Sequence, residues 1–82
     1  MTKRIKHSYF VVTIDYGQRG LEAIVQPEIT RSEVISRIKS GEYKGIAFIH
    51  HIDDLLVEDV TLELLDAAEL ELKEEIRAAR AA

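Results

Sequence analysis

Five consecutive residues carry the strongest chemical signal in the chain: His50-His51-Ile52-Asp53-Asp54. Imidazole and carboxylate are the side chains that ligate divalent metals and move protons near neutral pH. In an extended segment alternate side chains share a face, so His51 and Asp53 converge while His50 points the other way. His7, just ahead of the first predicted strand, adds a third donor if the two strands pair. This set is half of a metal site, and its spelling is far less specific than paired histidines on one helix face. The same residues also read as the end of a strand, with one edge histidine, one half-buried histidine and two aspartates that turn the chain. That reading is preferred. A metal site at His51, Asp53 and His7 is kept as the alternative, and no cofactor is expected.

Other catalytic chemistry finds less to work with. Cysteine is absent, which removes thiolate nucleophiles, disulfides and Cys-ligated zinc. Ser8, Ser32, Ser36 and Ser40 sit in no nucleophile-elbow context. Gly17-Gln18-Arg19-Gly20 is not followed by the helix and lysine that a phosphate loop uses. The chain is therefore not expected to be an enzyme.

Charge is distributed unevenly. The net charge is −4. Residues 1–7 carry Lys3, Arg4 and Lys6 and no acid. The middle of the chain is balanced. From Asp53 to Glu75, Lys73 is the one base among a run of acids. A basic patch of Lys3, Arg4, Lys6, Arg19, Arg31, Arg37, Lys39 and Lys44, with Tyr9, Tyr16 and Tyr43 to stack on bases, would suit a small nucleic-acid-binding regulator. The acidic C-terminal run argues against that. The same run would attract a basic protein surface.

The elements that position these groups follow from periodicity. Ser8 to Tyr16 is β-branched and aromatic and predicts a strand, with Phe10, Val12, Ile14 and Tyr16 on one face. Gly17-Gln18-Arg19-Gly20 suits a hairpin loop. Leu21 to Gln26 returns as a second strand with an apolar face of Leu21, Ala23 and Val25, an alternation that Ile24 interrupts. Pro27 ends it for want of an amide donor. Thr30-Arg31-Ser32-Glu33 spells a capping box for a helix from Arg31 to about Ser40, stopped by Gly41. Val34, Ile35 and Ile38 form its apolar stripe. A third strand runs from Ile46 to Ile52, apolar on both faces, as befits a strand covered twice or meeting a partner.

Leu55-Leu56-Val57 is ambiguous between a loop and a first helical turn. From about Asp59 to Arg80 the pattern is one long amphipathic helix, roughly 33 Å at 1.5 Å per residue. Its predicted core stripe is Val60, Leu64, Leu65, Ala68, Leu72, Ile76 and Ala79. A domain of this size is only about 30 Å across, so the helix end should overhang. The expected fold is α+β in the order β-β-α-β-α. It has a three-stranded antiparallel sheet of order 2-1-3 and two helices on one face. The expected organisation is a single domain over 1–82, with a basic arm at 1–7, a folded body at 8–80 and frayed residues at 81–82.

These features favour binding over chemistry. An 82-residue chain buries only about 60–65% of its unfolded surface, so partner burial or a homodimer would help it. The expected function is a non-enzymatic protein-interaction module that acts by occupying a surface, as an inhibitor or adaptor on a partner with a basic surface, of which a nucleic-acid-binding groove is one example. Its composition suits accessory proteins of bacteria and their phages. The interaction residues are expected to be Glu58, Asp59, Leu62, Glu63, Asp66, Glu69, Leu70, Glu71, Glu74 and Glu75. No run of apolar residues is long enough for a membrane helix, and a cytoplasmic location is expected.

Overall fold

The structure is a computed structural model that describes residues 8–27 and 29–81. Its elements are β1 (Ser8–Asp15), β2 (Leu21–Pro27), α1 (Arg31–Lys39), β3 (Ile46–Asp53), β4 (Leu56–Asp59) and α2 (Thr61–Ala81). A short 3-10 turn, Gly17–Arg19, joins the first two strands. The sheet is antiparallel with strand order β2-β1-β3-β4. This is the expected α+β fold and the expected 2-1-3 order, with a fourth strand added beside β3.

The even residues of β1 decide which face is the core. Phe10, Val12 and Ile14 are buried, and Val12 sits opposite Ile24 on β2 and Ile49 on β3. Val34 and Ile35 of α1 and Val60, Leu64 and Ala68 around the start of α2 close over them. Burial of these side chains is the main term holding the two layers together, at about 1.5–3 kcal/mol for each large one. Both helices therefore lie on one face of the sheet.

The same register turns Leu21, Ala23 and Val25 of β2 outward, opposite Asp15, Thr13 and Val11. Ile24, the residue that breaks the alternation, is the one that packs on the core.

The N-cap half of the capping box forms at α1, with the Glu33 carboxylate meeting the Thr30 hydroxyl rather than its amide. The Glu33 amide donates to Thr30 Oγ1 at 3.2 Å, and the hydroxyl in turn reaches Glu33 Oε1 at 3.4 Å. At the other end the Gly41 amide donates to the Ile38 carbonyl and the Glu42 amide to the Arg37 carbonyl. These two bonds are those of a Schellman motif, with Gly41 at φ +78° in the left-handed position that favours glycine.

The fourth strand is where α2 was expected to begin. Asp53 pairs with Leu56 across a two-residue turn, Asp54-Leu55, and Asp54 has φ +53°. Primed hairpin turns need a positive φ there, and aspartate is among the few residues besides glycine that tolerate it. Glu58 and Asp59, expected on the helix, are strand residues opposite His51 and His50. The helix proper starts at Thr61 and runs to Ala81.

Gly45 holds the loop that enters β3. Its φ is +75°, and a Cβ there would lie 2.8 Å from the Asp15 carbonyl oxygen. The Asp15 amide donates to the Gly45 carbonyl at 2.8 Å, beside the register shift between Thr13 and Ile14. Gly45→Ala is expected to cost on the order of 2 kcal/mol, because both the backbone conformation and the close approach oppose a side chain. Urea denaturation measures this, and an unchanged midpoint would show that the approach is not required.

Candidate functional site

The histidine pair separates as the strand period requires. His50 lies on the outer face, opposite Val11 and Asp59, and its ring stands 5.9 Å from that of Phe48. His51 lies on the helix side, opposite Phe10 and Glu58, with its ring 4.7 Å from the Phe10 ring. Asp53 shares that side, and its Oδ1 is buried with no hydrogen-bond partner among the described residues. Those residues contain no cluster of three His, Asp or Glu arranged to hold a metal ion. His7, the third proposed ligand, lies outside the described residues.

One contact here was not expected. Ser8 Oγ and His51 Nε2 are 3.0 Å apart, although 43 positions separate them in the chain. Ser8 pairs with Asp53, and His51 stands one diagonal away on the same face. Only the β1–β3 register brings them together, and no local motif announces it. Both line an open cleft of about 360 Å³ that also takes in Arg31, Glu58 and Glu63. Arg31 and Glu63 face each other across it at 3.3 Å. Among the described residues no carboxylate hydrogen-bonds the His51 ring to orient it as a nucleophile's base would be oriented.

The acidic run is partly used up inside the fold. Glu63 pairs with Arg31, and Lys39 pairs with both Glu71, at 3.3 Å, and Glu75. Glu69 and Lys73 pair at i,i+4 on the helix itself. The hydrogen bonds to Glu75 and Glu71 raise the Lys39 pKa above its ordinary value. Asp59 Oδ1 accepts from the Thr61 hydroxyl at 2.6 Å and the Thr61 amide at 3.0 Å. These bonds to Thr61, the hydroxyl's first, hold the Asp59 carboxyl below the usual carboxylate range. Glu58, Asp66 and Glu74 make no ion pair or hydrogen bond with the described residues and keep their charge for solvent or a partner.

The same pairs neutralise much of the basic patch. Arg31 and Lys39 face acids of α2, and Arg37 reaches Glu42 at 3.4 Å and Gln26 at 3.0 Å. Tyr43 is a buried core residue and presents no ring for base stacking. Lys3, Arg4 and Lys6 lie outside the described residues.

The ion pairs also fix the relation of the helices. Arg31 meets Glu63 and Lys39 meets Glu71, so α1 and α2 run side by side in the same direction. Helix α1 ends at Lys39, but α2 continues. Every residue of α2 from Glu69 to Ala81 is exposed. The expected overhang is therefore present, and it is longer than the periodicity implied. Leu72, Ile76 and Ala79 of the predicted core stripe lie on it, uncovered. Leu62 and Leu70 are exposed, as their position off the stripe predicts.

A second uncovered surface is the sheet's outer face. Tyr9, Val11 and Thr13 of β1, Leu21, Ala23 and Val25 of β2, Phe48, His50 and Ile52 of β3 and Val57 of β4 share it. Neither helix of the described residues packs on that side. No helix among the described residues is long and apolar enough to cross a membrane. Comparison with protein-family models, with curated proteins and with solved structures finds no match to this chain.

Proposed function

We propose that this chain is a protein-interaction module that acts by occupying a partner's surface through the free half of α2. The observation that carries the reading is the arm itself. About 20 Å of helix extends beyond Ala68, the last buried residue of α2, at 1.5 Å per residue. It presents Leu72 and Ile76 to solvent on one stripe and Leu70 on another face. An isolated helix of this length is marginal in water, and leaving its apolar residues uncovered adds nothing to the fold. A helix of this kind binds by laying an apolar stripe into a groove of its partner.

Charge sets the partner's character. Asp66 and Glu74 are the carboxylates of α2 that no cation of the described fold neutralises. A partner groove with a basic rim, such as that of a nucleic-acid-binding protein, would meet them and be steered toward them. On this reading the chain is an inhibitor or adaptor that covers the groove.

The test is affinity capture from the native host with the wild-type chain and with Leu70→Ser/Leu72→Ser/Ile76→Ser as parallel baits. The wild type is expected to retain a basic protein at low salt and release most of it at 0.5 M salt. The triple variant should bind at least tenfold more weakly with an unchanged circular dichroism spectrum, since all three side chains lie outside the core. Equal retention by both baits would remove the arm from the interaction.

A further inference from the structure

We propose that the outer face of the sheet is a self-association surface, on which two copies pack face to face about a two-fold axis. The assembly would have four layers, helix–sheet–sheet–helix. This inference concerns the opposite side of the molecule from the α2 arm and does not depend on the arm's partner.

The first argument is the make-up of the face. Val57 is 65% exposed, Leu21 62%, Val25 55% and Phe48 46%. The half-buried Tyr9, Val11, Thr13 and Ile52 fill the space between them. Scattered exposed apolar residues are ordinary, but here they form one continuous layer across all four strands.

The second argument is charge. No lysine or arginine of the four strands stands on this face. Its carboxylates sit at its margins and are engaged locally: Asp15 Oδ1 accepts from the Gly17 amide, and Asp59 accepts from Thr61. Apart from His50 the described strands give this face no basic side chain, so it offers little to nucleic acid or an anionic lipid surface. It also offers nothing specific to a basic partner. The chain's acids instead crowd α2, in the other layer. Two copies of a −4 chain can therefore meet here with their acidic helices turned outward. Sheets pack about 10 Å apart and helices add a similar distance on each side, so the two α2 layers stand roughly 30 Å apart. That is about three Debye lengths at 0.1 M salt, and their repulsion is largely screened.

The third argument is size. Four strands about 4.8 Å apart and about seven residues long give a flat footprint of roughly 450 Å². Side-chain relief brings the accessible area toward the lower end of specific interfaces, about 600 Å² per partner. An isologous contact needs a self-complementary patch, and an apolar pleated surface meets that need without matched charges. The modest area sets the strength, with dissociation expected in the micromolar range.

The experiment is sedimentation velocity on the full chain from about 1 µM to about 500 µM. Wild type is expected to shift from monomer to dimer across that range. Val25→Lys on β2 and Val57→Lys on β4 each place a charge into the contact twice, once per copy. Each should weaken the dimer about 100-fold while the thermal melt of the monomer hardly moves. The two sites lie on opposite edges of the sheet, so a folding defect in one leaves the other to decide. Leu72→Ser/Ile76→Ser should leave the dimer intact. A wild-type chain that stays monomeric overturns the proposal and leaves the face to a different protein. A dimer that survives both lysine variants but dissociates in the Leu72/Ile76 variant also overturns it, and assigns the contact to the arm. Either result leaves the arm's own capture experiment to be judged separately.

Discussion

Leu64→Ala is expected to remove about 3 kcal/mol of folding stability and lower the melting temperature by roughly 12–24 °C. Leu64 is 1% exposed and belongs to the first turn of α2, where the helix meets the sheet core. The loss combines the transfer free energy of the deleted methyl groups with the cavity they leave. In a domain whose total stability is of order 4–12 kcal/mol, that is about a quarter to three-quarters of the total. Leu72→Ala, on the same predicted stripe, should cost only a few tenths, because Leu72 lies beyond the covered half of the helix. Equal losses at the two positions by differential scanning calorimetry would mean that something covers the arm.

Thr61→Val should cost about 2 kcal/mol through hydrogen bonds rather than packing. The Thr61 hydroxyl accepts from the Ile49 amide at 2.8 Å and donates to Asp59 Oδ1 at 2.6 Å. The Val60 amide donates to the Ile49 carbonyl at 2.9 Å, so this one position fastens the start of α2 to β3. Valine keeps the shape and leaves the Ile49 amide without its partner. The variant should also alter the acid limb of stability. Asp59 titrates below its ordinary value in the fold. Its contribution is therefore complete above the usual carboxylate range and is lost as pH falls through the lowered folded value. Without the Thr61 hydroxyl that dependence should flatten. Denaturant titrations at a series of pH values measure both effects, and wild-type behaviour in the variant would show that the hydroxyl carries neither.

What the sequence made legible, and what it hid, has a physical pattern. Elements defined by their own residues were readable: the alternating face of β1, the glycine-bounded loop, the Thr30–Glu33 box and the Gly41 stop. Pro27 closing β2 belongs with them. Strand β4 was hidden because Leu56, Glu58 and Asp59 suit a helix start as well as a strand. Its turn also uses Asp54 where glycine would have announced a hairpin. What settles the matter lies elsewhere in the chain, in the pairing with β3 and the fastening of Thr61 to Ile49. The orientation of β2 was hidden for a similar reason. Its alternation marks an apolar face, but only the pairing of Ile24 with Val12 decides that this face turns outward. Likewise the stripe on α2 continues past Ala68, and the Gly41 stop of α1 does not by itself show which turns of α2 are left uncovered. The Ser8–His51 contact is the extreme case, since it exists only through register.

The two edges of the sheet bear on how large any assembly can grow. An open strand edge is a template on which further chains can add, and repeated addition makes fibres. On one side the edge is β4, four residues long with Glu58 and Asp59 among them. On the other it is β2, closed by Pro27, which has no amide to donate. Short length, charge and proline each discourage strand addition. Lateral strand addition is thus disfavoured at both edges of the sheet. The proposed face-to-face association would use the outer face of each copy once and so stop at two. In such an assembly the hairpin that displaced the first turn of the expected helix would limit growth at that edge.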